Sequence, residues 1–117
     1  MSTVKILHNP RCSKSRQTLA LLEEKGIQAE VVEYLKQPLN KAELQQLFQQ
    51  LNINEVIQMM RPKEVEFAQA GLSKTTSSDD ALFDAMVAYP KLLERPVVIK
   101  NNQARIGRPP ESVLEIL

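Results

Sequence analysis

The chain has 117 residues, the usual size of one domain, so we expect a single domain over residues 1–117. Its 15 Lys and Arg against 14 Asp and Glu give a formal charge of +1, without the basic excess of a whole-surface nucleic-acid binder. The hydrophobic share of 43% and charged share of 25% argue against disorder. No apolar run approaches the roughly 20 residues that cross a bilayer, and no signal-peptide pattern is visible. We therefore expect a cytoplasmic protein with neither nucleic acid nor membrane as partner.

The first third of the chain predicts a strand, a helix and a second strand. Val4–Leu7 is a short apolar run that ends at Asn9-Pro10, a pair that interrupts regular structure. A helix is predicted over residues 13–25, before Gly26, which can adopt the positive φ that ends helices. Residues 29–34 are the second strand candidate. A unit of this kind is normally a right-handed parallel crossover.

Residues 40–90 predict a helical insertion. Asn40 and Glu43 form a capping-box pattern at the start of its first helix. The apolar residues that follow recur at helical spacing, namely Leu44, Leu47, Phe48 and Leu51. Further helical segments are predicted at residues 55–60, 63–70 and 79–89. The last of them carries one apolar stripe, formed by Leu82, Ala85, Met86 and Tyr89.

The end of the chain predicts a β-hairpin and a last helix. Residues 97–99 and 104–106 are strand candidates on either side of Asn101-Asn102, a pair that tolerates the positive φ of a type I′ turn. Pro109-Pro110-Glu111 suits the first turn of a helix, whose inward side is predicted to carry Val113, Leu114 and Leu117. The complete order of elements is that of an α/β protein of the thioredoxin-like fold, with a mixed sheet flanked by helices.

The single cysteine, Cys12, lies at the predicted N-terminus of the first helix. Free backbone N–H groups and the helix macrodipole favour a thiolate there, and Arg11, Lys14 and Arg16 add positive charge nearby. An inert core cysteine would lie among aliphatic residues, whereas residues 9–16 are polar, so we favour a nucleophile. A lone cysteine permits no intrachain disulfide, and redox chemistry would need an external thiol.

The neighbours of Cys12 disfavour one kind of cysteine chemistry, that of the tyrosine phosphatases, and exclude a second, a self-contained dithiol cycle. A tyrosine-phosphatase loop needs an arginine where Thr18 stands, and a thioredoxin-type pair needs a cysteine where Ser15 stands. Ser15 either donates a hydrogen bond to the thiolate or is a routine first-turn serine. His8, with an ordinary pKa of about 6.5, either helps to ionise Cys12 or is an ordinary histidine at a strand end.

Four separated blocks carry a more specific pattern: His8-Asn9-Pro10-Arg11-Cys12 with Ser15-Arg16, Arg61-Pro62, Glu94-Arg95-Pro96-Val97, and Ile106-Gly107-Arg108-Pro109. In their order and spacing, the chain resembles the glutaredoxin-dependent arsenate reductase family over essentially its whole length. The resemblance implies a thioredoxin-like fold in which Cys12 attacks arsenate. It implies that Arg61, Arg95 and Arg108 bind the oxyanion. It also implies that Pro96 is a cis-proline beside the cysteine and that Asn9 belongs to the supporting loop.

The same resemblance implies a reaction cycle without a metal or a bound cofactor. The Cys12 thiolate displaces hydroxide or water from arsenic(V), glutathione attacks the adduct, and glutaredoxin reduces the mixed disulfide that remains. Arsenate, glutathione as co-substrate, and glutaredoxin are therefore the expected partners. The residues fit this chemistry, because arsenate is anionic and arginine offers a bidentate fork that lysine lacks.

Two other functions stay open. The chain reads Cys-Ser-Lys-Ser from Cys12 to Ser15, where plasmid-borne arsenate reductases typically have Cys-Gly-Thr-Ser. The second hypothesis is a glutathione-dependent thiol–disulfide oxidoreductase whose arginines bind glutathione carboxylates or another oxyanion. The third is a non-enzymatic regulator of the Spx type, which binds RNA polymerase and typically carries Cys-x-x-Cys.

Overall fold

A computed structural model describes residues 4–72 and 78–117 of the chain. It contains one mixed sheet in the order β2-β1-β3-β4, built from β1 (Val4–Leu7), β2 (Ala29–Val32), β3 (Val97–Lys100) and β4 (Gln103–Ile106). β1 runs parallel to β2 and antiparallel to β3, and β3 and β4 form the antiparallel hairpin. The predicted α/β class and the parallel crossover are confirmed.

Along the chain, the helices and strands follow one another in the predicted order. The α-helices are α1 (Ser13–Glu24), α2 (Lys41–Leu51), α3 (Val65–Gln69) and α4 (Asp79–Ala88). Three 3₁₀ helices span Val56–Met59, Pro90–Leu92 and Pro110–Ile116. Part of the predicted insertion, residues 73–77, lies outside the described residues, and the domain span of 1–117 stays a prediction. No helix in the two described ranges is long and apolar enough to span a bilayer.

Local sequence signals account for several helix and turn boundaries. The Asn40 side chain accepts a hydrogen bond from the Glu43 N–H at 2.8 Å, and the Glu43 carboxylate accepts one from the Asn40 N–H at 2.9 Å, so the capping box is confirmed. Asn101 and Asn102 adopt φ angles of 53° and 63°, as the predicted type I′ turn requires.

The predicted ranges of α1 and α4 were one residue too long, because Lys25 and Tyr89 are C-caps. The range predicted for α3 was also too long, because Glu64 and Ala70 are its caps and Lys63 precedes the N-cap.

The second strand ends at Val32, earlier than predicted. The Glu33 carbonyl accepts hydrogen bonds from the backbone N–H groups of Lys36 and Gln37, both at 2.9 Å, and this turns the chain away from the sheet. Tyr34 therefore leaves the strand and becomes buried, with only 1% of its surface exposed.

The predicted last helix is a 3₁₀ helix, and this changes which side chains point inward. Three residues per turn place Pro110, Val113 and Ile116 on one face, and all three are buried. The prediction was wrong for Leu114, which is 38% exposed, because it assumed the α-helical period. Leu117 packs against the core, as predicted.

The sheet is covered on both faces by apolar side chains. Alternation along the strands sends Leu7 and Val97 to one face and Ile6 and Val98 to the other. The first face packs against the helical insertion, and the second packs against α1 and the last 3₁₀ helix. Burying one such side chain stabilises the fold by roughly 1.5–3 kcal/mol, so these two layers hold the strand ends in place.

One end of the sheet gathers segments that are distant in the sequence. Leu7 is paired with Val97, and Val97 with Ile106, so these three residues lie side by side across three strands. The loop that follows β1, the segment that precedes β3 and the segment that follows β4 therefore meet at this end. These segments carry the cysteine and two of the arginines singled out in the sequence.

Gly107 is required where these segments meet. Its N–H donates to the Pro96 carbonyl at 2.8 Å. A Cβ at this position would lie 2.6 Å from Thr18 Oγ1 and 2.9 Å from Pro96 Cγ, which is closer than side-chain atoms can approach. Only glycine fits without displacement of its neighbours.

Gly107→Ala should lower the free energy of unfolding by about 1–3 kcal/mol, because the added methyl group overpacks this junction. Urea denaturation followed by circular dichroism measures the loss. The double variant with Thr18→Ala should recover part of it, since Thr18 Oγ1 is the nearest obstacle. Strictly additive losses in the two variants would contradict the proposed clash.

Candidate active site

Cys12 is the N-cap residue of α1 and is partly exposed. Its N–H donates to the Asn9 carbonyl at 3.0 Å, and its carbonyl accepts from the Arg16 N–H at 3.0 Å. The Arg108 Nη2 group lies 3.6 Å from Cys12 Sγ and donates to it. The loop thus holds the sulfur where the first N–H groups of the helix and a guanidinium can both reach it.

The surroundings of Cys12 favour its thiolate. Burial raises the pKa of the thiol, but hydrogen bonds from the backbone N–H of Ser15, the Arg95 guanidinium and the backbone N–H of Lys14 lower it. The lowering contributions prevail, and the pKa lies below its ordinary value of 9.0. Cys12 is therefore prepared to act as a nucleophile.

His8 and Ser15 contact each other beneath the cysteine loop. Ser15 Oγ lies 2.6 Å from His8 Nδ1 and accepts from the Asn9 N–H at 3.0 Å, and all three residues are buried. Burial lowers the pKa of His8, the charge of Glu33 opposes this, and Arg16 lowers it further. A neutral imidazole is favoured, and Ser15 Oγ and His8 Nδ1 share one hydrogen bond whose donor is set by the ring tautomer. The hydroxyl thus supports the loop, and Ser15 reaches the thiolate through its main-chain N–H.

The three arginines predicted to bind an anion are brought together by one carboxylate. Glu94 Oε1 accepts from Arg61 Nη1 at 2.8 Å and from the backbone N–H of Arg95 at 3.2 Å. It also forms an ion pair with Arg108, whose Nε lies 2.9 Å away. The Nε–H of Arg108 is donated to the Arg95 carbonyl at 2.8 Å. Glu94 lies in one of the four sequence blocks, but the sequence analysis assigned it no role. Its position directly before Arg95 is the signal that was missed.

A second carboxylate, Glu64, secures Arg61 from the helical insertion. Glu64 Oε1 accepts from Arg61 Nε at 3.0 Å and lies 3.8 Å from Arg95 Nη1. Burial lowers the pKa of Arg61, but Glu64 and Glu94 raise it by more than burial lowers it. The pKa is therefore above its ordinary value, and the guanidinium stays charged. Sequence reasoning overlooked Glu64, although its i,i+3 spacing from Arg61 is a signal for such a pair.

Main-chain hydrogen bonds bring the insertion to the end of the sheet. The Arg61 N–H donates to the Leu92 carbonyl at 2.7 Å, and the Glu94 N–H donates to the Met59 carbonyl at 2.8 Å. These bonds set Arg61 beside the segment that precedes β3. Arg95-Pro96 is a cis peptide bond, as the resemblance implied, and Arg108-Pro109 is a second one.

Tyr34 is a further buried residue at the site that the sequence did not reveal. Its hydroxyl and Arg95 Nε are both buried and have no hydrogen-bond partner among the described residues. Burial raises the pKa of Tyr34 to about 12, although the nearby Arg95 guanidinium acts in the opposite direction. The phenol is therefore neutral and lies against the arginine that acts on Cys12.

The assembled site combines an activated thiol with clustered guanidinium groups. In the described part of the chain, no group of three or more His, Cys, Asp or Glu side chains is arranged to hold a metal ion. The three guanidiniums exceed the two carboxylates that hold them, so the site attracts anions. A tetrahedral oxyanion bound by the arginines would be exposed to attack by the Cys12 sulfur.

Comparisons with known proteins define the class to which this fold and site belong. A solved structure described as arsenate reductase from Vibrio cholerae is 56% identical in sequence and superimposes on this chain with a TM-score of 0.95. The alignment covers 98% of each of the two chains. The fold is therefore thioredoxin-like, as predicted. Residues 7–116 match the model of the ArsC family, and the chain belongs to that family.

Two full-length relatives have different descriptions. A protein of Haemophilus influenzae described as arsenate reductase is 49% identical over 115 residues, which are 98% of this chain and 99% of that protein. A protein of Escherichia coli K12 described as uncharacterized protein YfgD is 53% identical over 114 residues, or 97% of this chain and 96% of that protein.

The lowered pKa of Cys12 should be visible in its alkylation by iodoacetamide. The midpoint of rate against pH should lie lower in the folded protein than in the urea-unfolded chain, because the folded state stabilises the thiolate. This stabilisation is present above the unfolded pKa and is lost as the pH falls through the folded pKa. Arg95→Gln should raise the midpoint, whereas Arg105→Gln, away from the site, should not. Coincident folded and unfolded midpoints would contradict the assignment.

Glu94→Ala should destabilise the fold, because it removes the carboxylate that accepts from Arg61 and the Arg95 N–H and that pairs with the Arg108 charge. We expect a loss of about 1–3 kcal/mol in the free energy of unfolding, measured by urea denaturation. Glu115→Ala is the matched control, since Glu115 pairs with Arg105 at 3.1 Å but is 62% exposed. Its loss should stay within about 0.5 kcal/mol. Equal losses in the two variants would contradict the role assigned to Glu94.

Proposed function

We propose that this protein reduces arsenate to arsenite. The observation that carries the proposal is the contact between Cys12 Sγ and Arg108 Nη2 at 3.6 Å, within a cluster that also contains Arg95 and Arg61. A nucleophilic sulfur and an arsenate ion are both anionic, and several guanidiniums are needed to bring them together. The relatives described as arsenate reductase at 49% and 56% identity support the same substrate.

The proposed reaction begins with the Cys12 thiolate. It forms a bond to arsenic(V), and a hydroxide leaves as water after it takes up a proton. Glutathione thiolate then attacks the Cys12 sulfur, so a disulfide forms and the electron pair of the sulfur–arsenic bond passes to arsenic. Arsenite, with arsenic(III), departs. Glutaredoxin reduces the mixed disulfide between Cys12 and glutathione and restores the thiol.

Each site residue has a proposed part in this cycle. Arg61, Arg95 and Arg108 hold the oxyanion and the negative charge that develops on it. His8, Ser15 and Asn9 support the loop that carries the nucleophile, and Pro96 forms its opposite wall.

The electron donors are part of the proposal. A lone cysteine has no resolving partner within the chain, so an external thiol has to complete the cycle. Glutathione as co-substrate and glutaredoxin as reductant meet this need without a bound cofactor. Such a cycle belongs in the cytoplasm, where thiols are kept reduced.

A coupled assay tests this function. Purified protein is incubated with arsenate, glutathione and glutaredoxin, and glutathione reductase links turnover to NADPH oxidation. We expect arsenate-dependent NADPH oxidation, and Cys12→Ser should lower kcat/KM by roughly a thousandfold or more, because a hydroxyl is a poor nucleophile at neutral pH. Ser13→Ala, an exposed change beside the nucleophile, should retain activity.

The assay also separates the alternative functions. Turnover of a glutathionylated substrate without arsenate-dependent NADPH oxidation would replace the proposal with a thiol–disulfide oxidoreductase. Absence of both activities, together with copurification with RNA polymerase, would replace it with a regulator. Full activity of Cys12→Ser would remove the sulfur from the mechanism.

A further inference from the structure

A groove opens between the loop that carries Cys12 and the helical insertion. It has a volume of about 240 Å³ and is lined by Asn9, Arg11, Leu35, Glu64, Lys91 and Arg95. Asn9 accepts the Cys12 N–H at 3.0 Å, and Arg11 is the residue before the cysteine. Arg95, which forms part of the groove wall, also hydrogen-bonds to the Cys12 sulfur, so the groove leads toward the thiol.

The groove continues away from the cysteine into a second recess. This recess has a volume of about 300 Å³, shares Leu35 and Lys91 with the first, and has Tyr89 and Pro90 in its wall. Leu35 is 37% exposed and offers an apolar contact where the two recesses join. Their combined extent suits a short peptide better than a single oxyanion.

The charges of the groove indicate the chemistry of its ligand. Arg11, Lys91 and Arg95 supply three positive charges, and Glu64 supplies one negative charge. In the described ranges, neither Arg11 nor Lys91 forms an ion pair with a carboxylate of the chain. Two exposed cations therefore remain available to an incoming ligand, in addition to the arginines that hold the oxyanion.

We propose that this groove binds the small peptide thiol that resolves the Cys12 intermediate, and that Arg11 and Lys91 recognise its carboxylates. The inference rests on the proposed function, which requires an external thiol. Glutathione carries two carboxylates, one ammonium and one thiol. The two cations can pair with the carboxylates, Glu64 is the groove's acceptor for the ammonium, and the thiol end lies at Cys12.

Reaction of Cys12 with disulfides tests the groove without arsenate. The Cys12 thiolate attacks one sulfur of glutathione disulfide, forms a mixed disulfide and releases one glutathione thiolate. The rate is divided by the rate for bis(2-hydroxyethyl) disulfide, which is neutral. Lys91→Glu should lower this ratio by about fivefold, because a favourable ion pair with glutathione disulfide becomes repulsive. The double variant Arg11→Glu with Lys91→Glu should lower it by about tenfold or more.

Lys25→Glu is the matched control. Lys25 is an exposed lysine at the far end of α1, roughly 18 Å along the helix from Cys12. Its reversal changes the net charge by the same amount as Lys91→Glu. The control should leave the ratio unchanged. An equal drop in the control would show that bulk charge alone acts, and an unchanged ratio in both groove variants would overturn the proposed site.

A second measurement separates this proposal from the function on which it rests. In the coupled assay, Lys91→Glu should raise the KM for glutathione by about fivefold and leave the KM for arsenate unchanged. If the unmodified protein does not reduce arsenate but the groove variants still lower the ratio of disulfide rates, the function is rejected and the groove is kept. Normal arsenate reduction with unchanged ratios would reject the groove and keep the function.

Discussion

The candidate site depends on the Glu94 carboxylate, which accepts hydrogen bonds from the Arg61 guanidinium and the Arg95 main-chain N–H and forms an ion pair with Arg108. Three arginines repel one another, and without an anion they would separate into solvent. Glu94 and Glu64 offset this repulsion while they leave an excess of positive charge. The cluster is thereby organised before any oxyanion arrives, and this reduces the reorganisation that binding and catalysis would otherwise require.

Activation of Cys12 arises from the balance of opposing effects. Partial burial penalises the thiolate, whereas the N–H groups of Ser15 and Lys14 and the Arg95 guanidinium stabilise it. The stabilising hydrogen bonds prevail over burial, because the helix N-terminus and the Arg95 guanidinium act at close range in a partly dehydrated site. His8 and Ser15 do not compete for the sulfur; they fix the loop from below and so keep this geometry.

Tyr34 and Arg95 place polar groups in a buried part of the site. The Tyr34 hydroxyl and Arg95 Nε are both buried, and the Arg95 guanidinium acts on both Tyr34 and Cys12. Elsewhere, the described core is apolar on both faces of the sheet. Departures from an apolar core are expected where geometry matters more than stability.

The sequence by itself determined the order of the elements, the capping box at Asn40, the Asn101-Asn102 turn and the position of Cys12 at a helix start, because each depends on neighbouring residues. Through the resemblance carried by the four sequence blocks, it also pointed to the three arginines that the structure brings together. Only the tertiary structure decided that Glu94 and Glu64 join those arginines and that Tyr34 lies among them. Contacts of this kind depend on strand register and on how the insertion folds back onto the sheet, and the periodicity of a local segment contains no information about either.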